Sequence, residues 1–307
     1  MMFGFRDEFT YVVCDRCGSL NLLDAPRDMA HYYPSGYYSL AVDPVSSIGR
    51  PGVRAFARLV ANSALHHDGK LARAAARGIP HRQFRTLVSM LSSIGRSGVD
   101  MHNAKILDVG TGSGVIPFVA KMAGVPEVLG IDPYMDADHL VGGAQLRRAV
   151  IADVDGEWDL VMFHHSLEHL DAPRHALQQA RRLLADGGVV LVRVPTVSSE
   201  AWDRYGADWA SIDAPRHFFL PTRDGVAALA SSAGLRVLRV VDDSNDFQFW
   251  CSEQYRRNIP MMAPESYFVD PKASGFNRTE MRSFRQEARD LNVRHRGDQA
   301  AFYMVSA

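Results

Sequence analysis

The sequence predicts an α/β fold in which a seven-stranded, mostly parallel sheet carries helices on both faces, preceded by an N-terminal extension. From residue 104 onward, short runs of β-branched or apolar residues alternate with stretches of helical periodicity. This alternation is typical of parallel sheets, whose neighbouring strands are connected by helices. The first of these strands, residues 105–109, ends in a turn with glycine at alternate positions that leads directly into a helix. A turn of this kind lets a ligand approach the backbone at the edge of the sheet.

Length and charge limit the kind of protein that the chain can be. Its 307 residues suggest one large core with an appendage, and a hydrophobic content of 47% is ordinary for a globular protein. With 34 basic and 35 acidic residues, the chain has no global field to attract nucleic acid or an anionic membrane, and we expect neither as a partner. No apolar run is long enough to cross a bilayer, and the three cysteines fit a reducing compartment. We therefore expect a cytoplasmic protein, whose oligomeric state the sequence leaves open.

Two segments precede the alternating region. Residues 1–50 contain the pair Cys14 and Cys17 and a tyrosine-rich stretch, so we expect a cysteine knuckle followed by an arm. Structural zinc needs four ligands; His31 is a possible third, and Cys251 lies far along the sequence. We therefore expect no bound metal, with zinc on the two cysteines as the weaker alternative. Residues 51–100 place apolar side chains three and four positions apart, which predicts helices that form a lid.

The predicted core covers residues 101–245, and residues 246–307 supply a C-terminal insertion and the last strand. The predicted strands share an apolar or β-branched composition with turn residues at their ends, and they are residues 105–109, 127–131, 149–152, 160–163, 189–194, 235–241 and 300–305. Apolar periodicity predicts helices at residues 115–123, 172–185 and 226–233. Asp171 can cap the second of these helices, and Gly187 and Gly188 can end it.

The turn after the first core strand carries the most information about a ligand. Asp108 precedes a loop that consists of Gly110, Thr111, Gly112, Ser113 and Gly114. Unpaired N–H groups at the start of the following helix suit a nucleotide-like cofactor. A dinucleotide-binding GxGxxG turn would need glycine or alanine where Val115 stands, and a P-loop would need a Gly-Lys-Ser/Thr ending. The spacing therefore disfavours both of these cofactor classes.

The D-x-G-x-G-x-G arrangement resembles the first motif of class I S-adenosylmethionine-dependent methyltransferases, which have a Rossmann-like fold. Asp132 ends the second strand, where a carboxylate can accept hydrogen bonds from a ribose diol. Residues 158–170 are similar to the fourth strand of the same family, including its Leu-Glu-His ending. The resemblance implies S-adenosyl-L-methionine as the cofactor. It assigns cofactor contacts to Asp108, Gly110, Thr111, Gly112, Ser113, Gly114, Asp132, Pro133, Asp153 and His164.

Histidines near the end of the fourth strand are the candidate catalytic residues. Methyl transfer to a hydroxyl benefits from a base that titrates near neutrality, which favours histidine. We predict His165 as this base, because it stands at the carboxyl edge where open α/β sheets bind ligands; His217 and His169 are the other candidates. Each could instead serve packing, and Glu168 could stabilise the following helix. Some relatives with a Glu-His pair at this position use a divalent metal, so a metal role stays open.

Four later segments are rich in aromatic residues or carry polar motifs: residues 202–209, 213–219, 247–255 and 297–303. They resemble segments of a subgroup of small-molecule methyltransferases that are often encoded with surface-polysaccharide or secondary-metabolite genes. That resemblance implies a small-molecule or sugar-containing acceptor. Aromatic residues crowd the segment after the fifth strand, and the residues assigned to the acceptor are Tyr38, Trp202, Tyr205 and Arg216. The alternative is that the aromatic residues pack in the core. Competing functions are an NAD(P)-dependent oxidoreductase, which Val115 disfavours, a nucleic-acid methyltransferase, and a non-catalytic cofactor-binding module.

Overall fold

The computed structural model describes residues 1–34, 43–47, 51–66, 69–79 and 82–307; Tyr38 lies outside them. Its strands are β1 (Tyr11–Val13), β2 (Leu20–Leu22), β3 (Lys105–Val109), β4 (Glu127–Ile131), β5 (His139–Val141), β6 (Ala144–Arg147), β7 (Trp158–His164), β8 (Leu184–Pro195), β9 (Phe219–Leu220), β10 (Leu235–Asp242) and β11 (Gln299–Ser306). Its α-helices are α1 (Pro44–Ser47), α2 (Pro51–His66), α3 (Lys70–Gly78), α4 (Arg82–Gly95), α5 (Val115–Met122), α6 (Pro173–Arg182), α7 (Glu200–Tyr205), α8 (Arg223–Ser232), α9 (Phe247–Arg256) and α10 (Arg278–Val293). None of the helices in these ranges combines the length and the apolar character that a membrane-spanning helix needs.

The central sheet of the described residues has eight strands in the order β10-β11-β8-β7-β3-β4-β6-β5. β8, β7, β3, β4 and β6 are parallel to one another, whereas β5, β10 and β11 run antiparallel to their neighbours. The predicted α/β fold with a mostly parallel sheet is therefore confirmed, with one strand more than the predicted seven. β11 lies between β8 and β10, so a strand from the C-terminal region completes the interior of the sheet.

The predicted third strand at residues 149–152 is wrong. Ile151–Asp153 forms a single 3-10 turn, and the strand that pairs with β4 is β6, which comes earlier in the chain. β6 also pairs with β5 through a hairpin whose turn residues, Gly142 and Gly143, have φ of 56° and 91°, a conformation that favours glycine. Because two of the four residues of β6 are buried, its apolar signal is too weak to identify it from composition.

Helices cover both faces of the sheet and bury a separate apolar cluster on each. α2, α3, α4 and α5 pack on one face, and α6 and α8 pack on the other. Successive side chains of β7 point to opposite faces of the sheet. Leu160 and Met162 accordingly belong to the first cluster, and Val161 and Phe163 belong to the second. The segment expected to form a lid, residues 51–100, thus supplies buried side chains to a layer of the core.

Helix α6 is shorter than the sequence predicts. The expected helix over residues 172–185 ends at Arg182, and it begins without a side-chain cap, so Asp171 does not play its expected role. β8 starts almost immediately afterwards, pairs with the first residue of β7, and then shifts its register at an irregularity. Gly187 lies in this irregularity with φ of 76°. The glycines expected to end the helix therefore let a strand bend instead.

The N-terminal segment contributes two strands to a small second sheet. β1 and β2 make a hairpin, and β2 also pairs with β9. Cys14 and Cys17 lie in the hairpin turn, which is closed by a hydrogen bond from Gly18 N to the carbonyl of Cys14 at 2.7 Å. Within the described ranges, no third histidine, cysteine or carboxylate joins this pair at ligand distance, and His31 packs instead on Phe5 with ring centroids 4.5 Å apart. The described residues therefore give the pair no four-ligand zinc set.

Candidate active site

The loop between β3 and α5 has a backbone that glycine adopts most readily. Gly110, Gly112 and Gly114 have φ of 75°, 56° and 75°, in the left-handed region where other residues are strained. A Cβ on Gly110 would lie 2.5 Å from the Cβ of Ser166, and one on Gly114 would lie 2.5 Å from the side chain of Leu146. The glycine spacing therefore sets both the shape of the loop and how closely β7 and β6 approach it.

Asp132, at the end of β4, faces the glycine loop. It is 8% exposed; its Oδ2 accepts from the backbone N–H of Gly112 at 3.0 Å and its Oδ1 from that of Tyr134 at 2.9 Å. Because each carboxylate oxygen has two lone pairs, two acceptor positions remain for a diol. Ser113 and Pro133, which flank this contact, are partly exposed and exposed, respectively. These free acceptor positions fit the two hydroxyl groups of the ribose of a nucleoside-type cofactor.

Asp108 lies under the loop and is 2% exposed. The Thr111 hydroxyl donates to its Oδ2 at 2.7 Å. Burial raises the pKa of Asp108 from 3.8 to about 7, because a charged carboxylate is poorly solvated there; Asp132 adds to the shift, and the Thr111 hydrogen bond opposes it. The carboxyl group that the motif places beneath the loop is therefore partly protonated near neutral pH.

Asp108→Asn is expected to flatten the dependence of stability on pH. Between 3.8 and about 7 the folded chain keeps the Asp108 proton that the unfolded chain releases, so the free energy of unfolding falls as the pH rises through this window. The loss is about 1.4 kcal/mol per pH unit, and asparagine removes it because it does not ionise. Urea denaturation of both proteins at about pH 5 and about pH 7 measures the difference. Parallel profiles would show that Asp108 ionises normally in the folded chain.

Two other residues assigned to the cofactor lie in contrasting environments. His164 ends β7, is 7% exposed, and has no hydrogen-bond partner for either ring nitrogen among the described residues. Burial lowers the pKa of His164 well below 6.5, with smaller contributions from Arg193 and His165, so its ring is neutral. Asp153 is exposed in the turn after β6, where its Oδ2 accepts from Val150 N at 3.5 Å. Their contacts to a cofactor stay predictions.

The backbone turns away from the direction of β7 at His165, which has a left-handed conformation with φ of 53°. Its Nδ1 lies 3.2 Å from Oε1 of Glu168, and its Nε2 lies 2.5 Å from Nη1 of Arg193. A guanidinium only donates, so Nε2 accepts and Nδ1 carries the hydrogen that is donated to Glu168. Arg193 donates in turn to Oδ2 of Asp243 at 2.7 Å. Because a cation engages its lone pair, His165 is poorly placed to take a proton from an acceptor, which argues against the predicted base.

His169 and His217 are held differently. Nδ1 of His169 lies 2.9 Å from the carbonyl of Arg216, and Nδ1 of His217 lies 2.8 Å from the carbonyl of Ser211. A carbonyl only accepts, so in the neutral rings both Nδ1 atoms carry the hydrogen and both Nε2 atoms carry the lone pair. Burial lowers the pKa of His169, and the neighbouring His217 lowers it further. The two ring centroids are 4.7 Å apart, so the segment before β9 brings His217 to the end of β7.

Glu168 completes this cluster as a buried carboxylate. Its side chain is 0% exposed, and its Oε2 has no hydrogen-bond partner in the part of the chain that the structure describes. Burial alone would raise the pKa of Glu168, but the bond from His165 and the nearby histidines lower it below 4.5, so the group is ionised. One ligand-type atom from each of Glu168, His169 and His217 lies within 4.8 Å of the others. A buried negative charge therefore lies close to two imidazole rings.

The residues that the sequence assigns to the acceptor and that the structure describes make contacts within the protein. Tyr205 is 4% exposed in an apolar cluster with Trp209, and Trp202 packs against that cluster with its ring 6.2 Å from the ring of Trp209. Arg216 is 3% exposed and pairs with Asp213. Core packing of Tyr205 and ion pairing of Arg216 argue against acceptor contacts for these two residues, whose assignment stays a prediction. Trp202 is partly exposed and stays a candidate.

Arg216 connects the N-terminal arm to the site. Its Nη1 donates to the carbonyl of Tyr32 at 2.9 Å, and its Nε donates to Oδ2 of Asp213 at 2.9 Å. The hydroxyl of Tyr11, in β1, donates to the carbonyl of His217 at 2.7 Å. The segment that carries His217 is therefore fixed by the arm on one side and by a buried ion pair on the other.

Sequence reasoning assigned no role to Arg193 and Asp243, which hold His165. Arg193 could have been recognised from the sequence, because it is the one charged residue in the apolar run 189–194, and a buried charge requires a partner. The structure supplies this partner as Asp243, immediately after β10. Asp243 itself carries no pattern that distinguishes it from an exposed turn residue.

A comparison with protein families identifies the fold and its activity. The family model described as a methyltransferase domain matches residues 69–240, which is more than half of the chain. The chain belongs to the methyltransferase domain family. It is an S-adenosylmethionine-dependent methyltransferase, and S-adenosyl-L-methionine is its cofactor. No curated protein matches the sequence of this methyltransferase.

The chain is also similar to several solved structures at low sequence identity. One is a chain of the complex between the Haloferax volcanii Trm112 methyltransferase activator and a methyltransferase, with 17% identity, 78% of this chain and 96% of that chain covered, and a TM-score of 0.45. A SAM-dependent methyltransferase from Thermotoga maritima has 13% identity, with 72% and 89% covered and a TM-score of 0.45. An S-adenosylmethionine-dependent methyltransferase from Mesorhizobium loti has 14% identity, with 73% and 98% covered and a TM-score of 0.44. These similarities are too low to indicate a substrate.

Asp132→Ala is expected to weaken cofactor binding by the methyltransferase about tenfold to a hundredfold. A hydrogen bond to a charged group contributes about 1.5–3 kcal/mol, which corresponds to this range in Kd. Calorimetric titration with S-adenosylmethionine measures the change, and the same titration with NAD is expected to show no binding. Asp136→Ala, an exposed carboxylate on the same loop, is the matched control. An unchanged Kd for Asp132→Ala would remove Asp132 from the cofactor site.

Proposed function

We propose that this methyltransferase transfers the methyl group to a hydroxyl group of a small-molecule or sugar-containing acceptor, such as a natural product or a surface-glycan precursor. The observation that supports this most is the cluster of Glu168, His169 and His217 at the carboxyl edge of β7, the edge where open α/β sheets bind ligands. A hydroxyl must lose its proton during the transfer, whereas a neutral amine needs much less help. Imidazole groups at this edge therefore suit an oxygen acceptor.

Proton transfer and positioning are assigned to different side chains in and beside the cluster. The cofactor supplies a methyl group that is already electrophilic on its sulfonium, so the chain has to align the acceptor and manage the proton. His217 and His169 keep their Nε2 lone pairs, and burial weakens His169 as a base by lowering its pKa. We therefore assign the base to His217. His165 positions Glu168, because both of its ring nitrogens are engaged.

The alternative functions predict different ligands and products. An NAD(P)-dependent oxidoreductase would bind a dinucleotide, for which Val115 is the wrong residue after the glycine loop. A nucleic-acid methyltransferase would favour a basic surface, and the chain has a net charge of −1. A non-catalytic module would bind S-adenosylmethionine without producing any methylated compound.

Incubation with S-adenosylmethionine that carries a labelled methyl group tests the proposal. One panel of acceptors contains hydroxyl-bearing small molecules and nucleotide sugars, and a second panel contains amines of similar size. We expect labelled product from the hydroxyl panel only. Transfer to amines alone would overturn the assignment to oxygen, and cofactor binding without transfer to either panel would favour the non-catalytic module.

A further inference from the structure

The unpartnered oxygen of Glu168 needs a physical explanation. An ionised carboxylate oxygen that is removed from water and makes no hydrogen bond is costly, so such atoms are rare in folded proteins. Within the described ranges, Oε2 of Glu168 is in this position, while Oε1 accepts from His165. The Nε2 atoms of His169 and His217 carry lone pairs and therefore cannot donate to Oε2 as neutral rings. The cluster thus has three acceptor atoms and lacks a positive group among them.

The surroundings of these three side chains orient them as metal ligands are usually oriented. Histidines that bind a metal generally donate their other ring N–H to a carbonyl or carboxylate, which fixes the tautomer and the direction of the ring. His169 and His217 both donate in this way to backbone carbonyls. The hydroxyl of Tyr33 also lies 3.4 Å from Nδ1 of His169. His165 fixes Glu168 through Oε1, so all three potential ligands are held by a second group.

Ligand type and spacing agree with this orientation. One carboxylate and two imidazoles form a ligand set that binds divalent transition-metal ions. In a tetrahedral site, ligand atoms about 2.1 Å from the ion lie about 3.4 Å from one another. The ligand atoms of the cluster lie within 4.8 Å of one another, so the most distant pair has to approach by up to about 1.4 Å to bind one ion. Asp213, whose Oδ2 is 3.9 Å from Nε2 of His217, is already paired with Arg216.

We propose that Glu168, His169 and His217 bind a divalent transition-metal ion through one carboxylate and two imidazole ligands. Two histidines and one carboxylate favour first-row metals such as zinc, cobalt or iron(II) over magnesium or calcium, and they leave further coordination positions open. His169 is partly exposed, whereas the other two ligands are buried. An ion in this cluster would therefore be enclosed by protein and open on the His169 side.

The role of the ion rests on the proposed function. An open coordination position at the end of β7 would hold the hydroxyl oxygen of the acceptor, which narrows the acceptor to compounds whose hydroxyl can bind a metal. An ion in this cluster would occupy the Nε2 lone pair of His217, so His217 would be a ligand in the metal-bound protein and would act as the base only in the metal-free chain. The ion would then position the acceptor and favour loss of its hydroxyl proton. Loss of His217 then removes both the metal and the position of the acceptor.

Metal binding is measured on the full chain after chelation and dialysis. The apoprotein is titrated with Co²⁺, followed by visible absorption, and with Zn²⁺, followed by elemental analysis and by thermal unfolding. We expect about one equivalent of each metal and a higher Tm with Zn²⁺. His217→Ala and Glu168→Gln are expected to weaken binding roughly 100-fold or more, since even the partners of metal ligands contribute about 10–100-fold. Binding well below one equivalent in the wild-type chain, or equal binding by His217→Ala, overturns the proposal.

Two control variants separate this site from the others on the chain. The double variant Cys14→Ser, Cys17→Ser and the variant His175→Ala, an exposed histidine of α6, are expected to bind metal as the wild type does. Loss of the ion in the cysteine variant would assign it to the hairpin turn and overturn the proposal. Calorimetry with S-adenosylmethionine on the same samples separates the metal-site proposal from the proposed methyltransferase function. A chain that binds the cofactor but no metal would refute the metal site and leave the proposed function standing. His217→Ala that retains the wild-type circular dichroism spectrum shows that a loss of metal is not a loss of fold.

Discussion

Asp213→Asn is expected to lower the free energy of unfolding by about 3–5 kcal/mol, the range observed when one partner of a buried ion pair is removed. Arg216 is 3% exposed and would keep its charge without the carboxylate that compensates it. Asparagine has nearly the same shape and tolerates the left-handed backbone that Asp213 adopts at φ of 45°. The substitution therefore removes the charge with little change in the backbone. Urea denaturation at neutral pH measures the effect.

A double-mutant cycle tests whether the ion pair is the cause. Arg216→Met leaves a buried carboxylate uncompensated and is also expected to destabilise the chain. The double variant is expected to recover part of the loss, because an uncharged pair has no unpaired charge to bury. A loss of less than about 1 kcal/mol for Asp213→Asn would mean that water solvates Arg216 in the folded protein. Additive effects in the cycle would show that the two side chains act independently.

His217→Ala is expected to lower the rate of methyl transfer by about 10²–10⁴-fold, the usual contribution of a general base. The Kd for S-adenosylmethionine should stay within a few fold of the wild-type value, because the cofactor is assigned to the glycine loop and Asp132, at the ends of β3 and β4. Turnover on an acceptor found in the hydroxyl panel and calorimetry with the cofactor are measured on the same preparation. A metal at the cluster predicts the same loss of rate, and the Co²⁺ spectrum distinguishes ligand from base.

Two variants show whether this effect belongs to His217. His175→Ala, on the exposed face of α6, should retain wild-type turnover. His165→Ala tests the base that the sequence predicts, and we expect a smaller loss of rate than for His217→Ala because its lone pair is engaged by Arg193. A larger loss for His165→Ala would restore that prediction. Unchanged turnover in both histidine variants would favour positioning alone, as expected for an amine acceptor.

The fold was predictable wherever a strand is buried on both faces. β3, β7 and β8 read as apolar runs because neighbouring helices cover both sides of the sheet. The region between β4 and β7 was not predictable, because β6 depends on pairing with β4 and on a glycine turn more than on its own apolar content. The irregularity in β8 was missed for a related reason, since Gly187 permits either a helix end or a bent strand and tertiary pairing decides between them.

In the candidate site, too, contacts between residues close in sequence were predictable, whereas contacts that depend on the tertiary fold were not. Asp132 and the glycine loop are close in sequence, so spacing was enough to place them together. His217 reaches His169 only through the path of the chain after β8, which spacing does not specify. The engagement of His165 by Arg193 likewise depends on the register between β7 and β8. Sequence patterns therefore identified the histidines, whereas their hydrogen bonds determined which of them keeps a lone pair.

The position of β11 between β8 and β10 has a consequence for biosynthesis. As the chain leaves the ribosome, β8 emerges long before the strand that pairs with its outer edge. Until β11 arrives, an apolar strand presents unpaired backbone groups, and such an edge is a template for pairing with other chains. The nascent polypeptide is therefore most prone to aggregate while the residues between β8 and β11, which include His217, are being synthesised. A chaperone that shields this edge would determine the yield of protein in the cell without contacting any residue of the site.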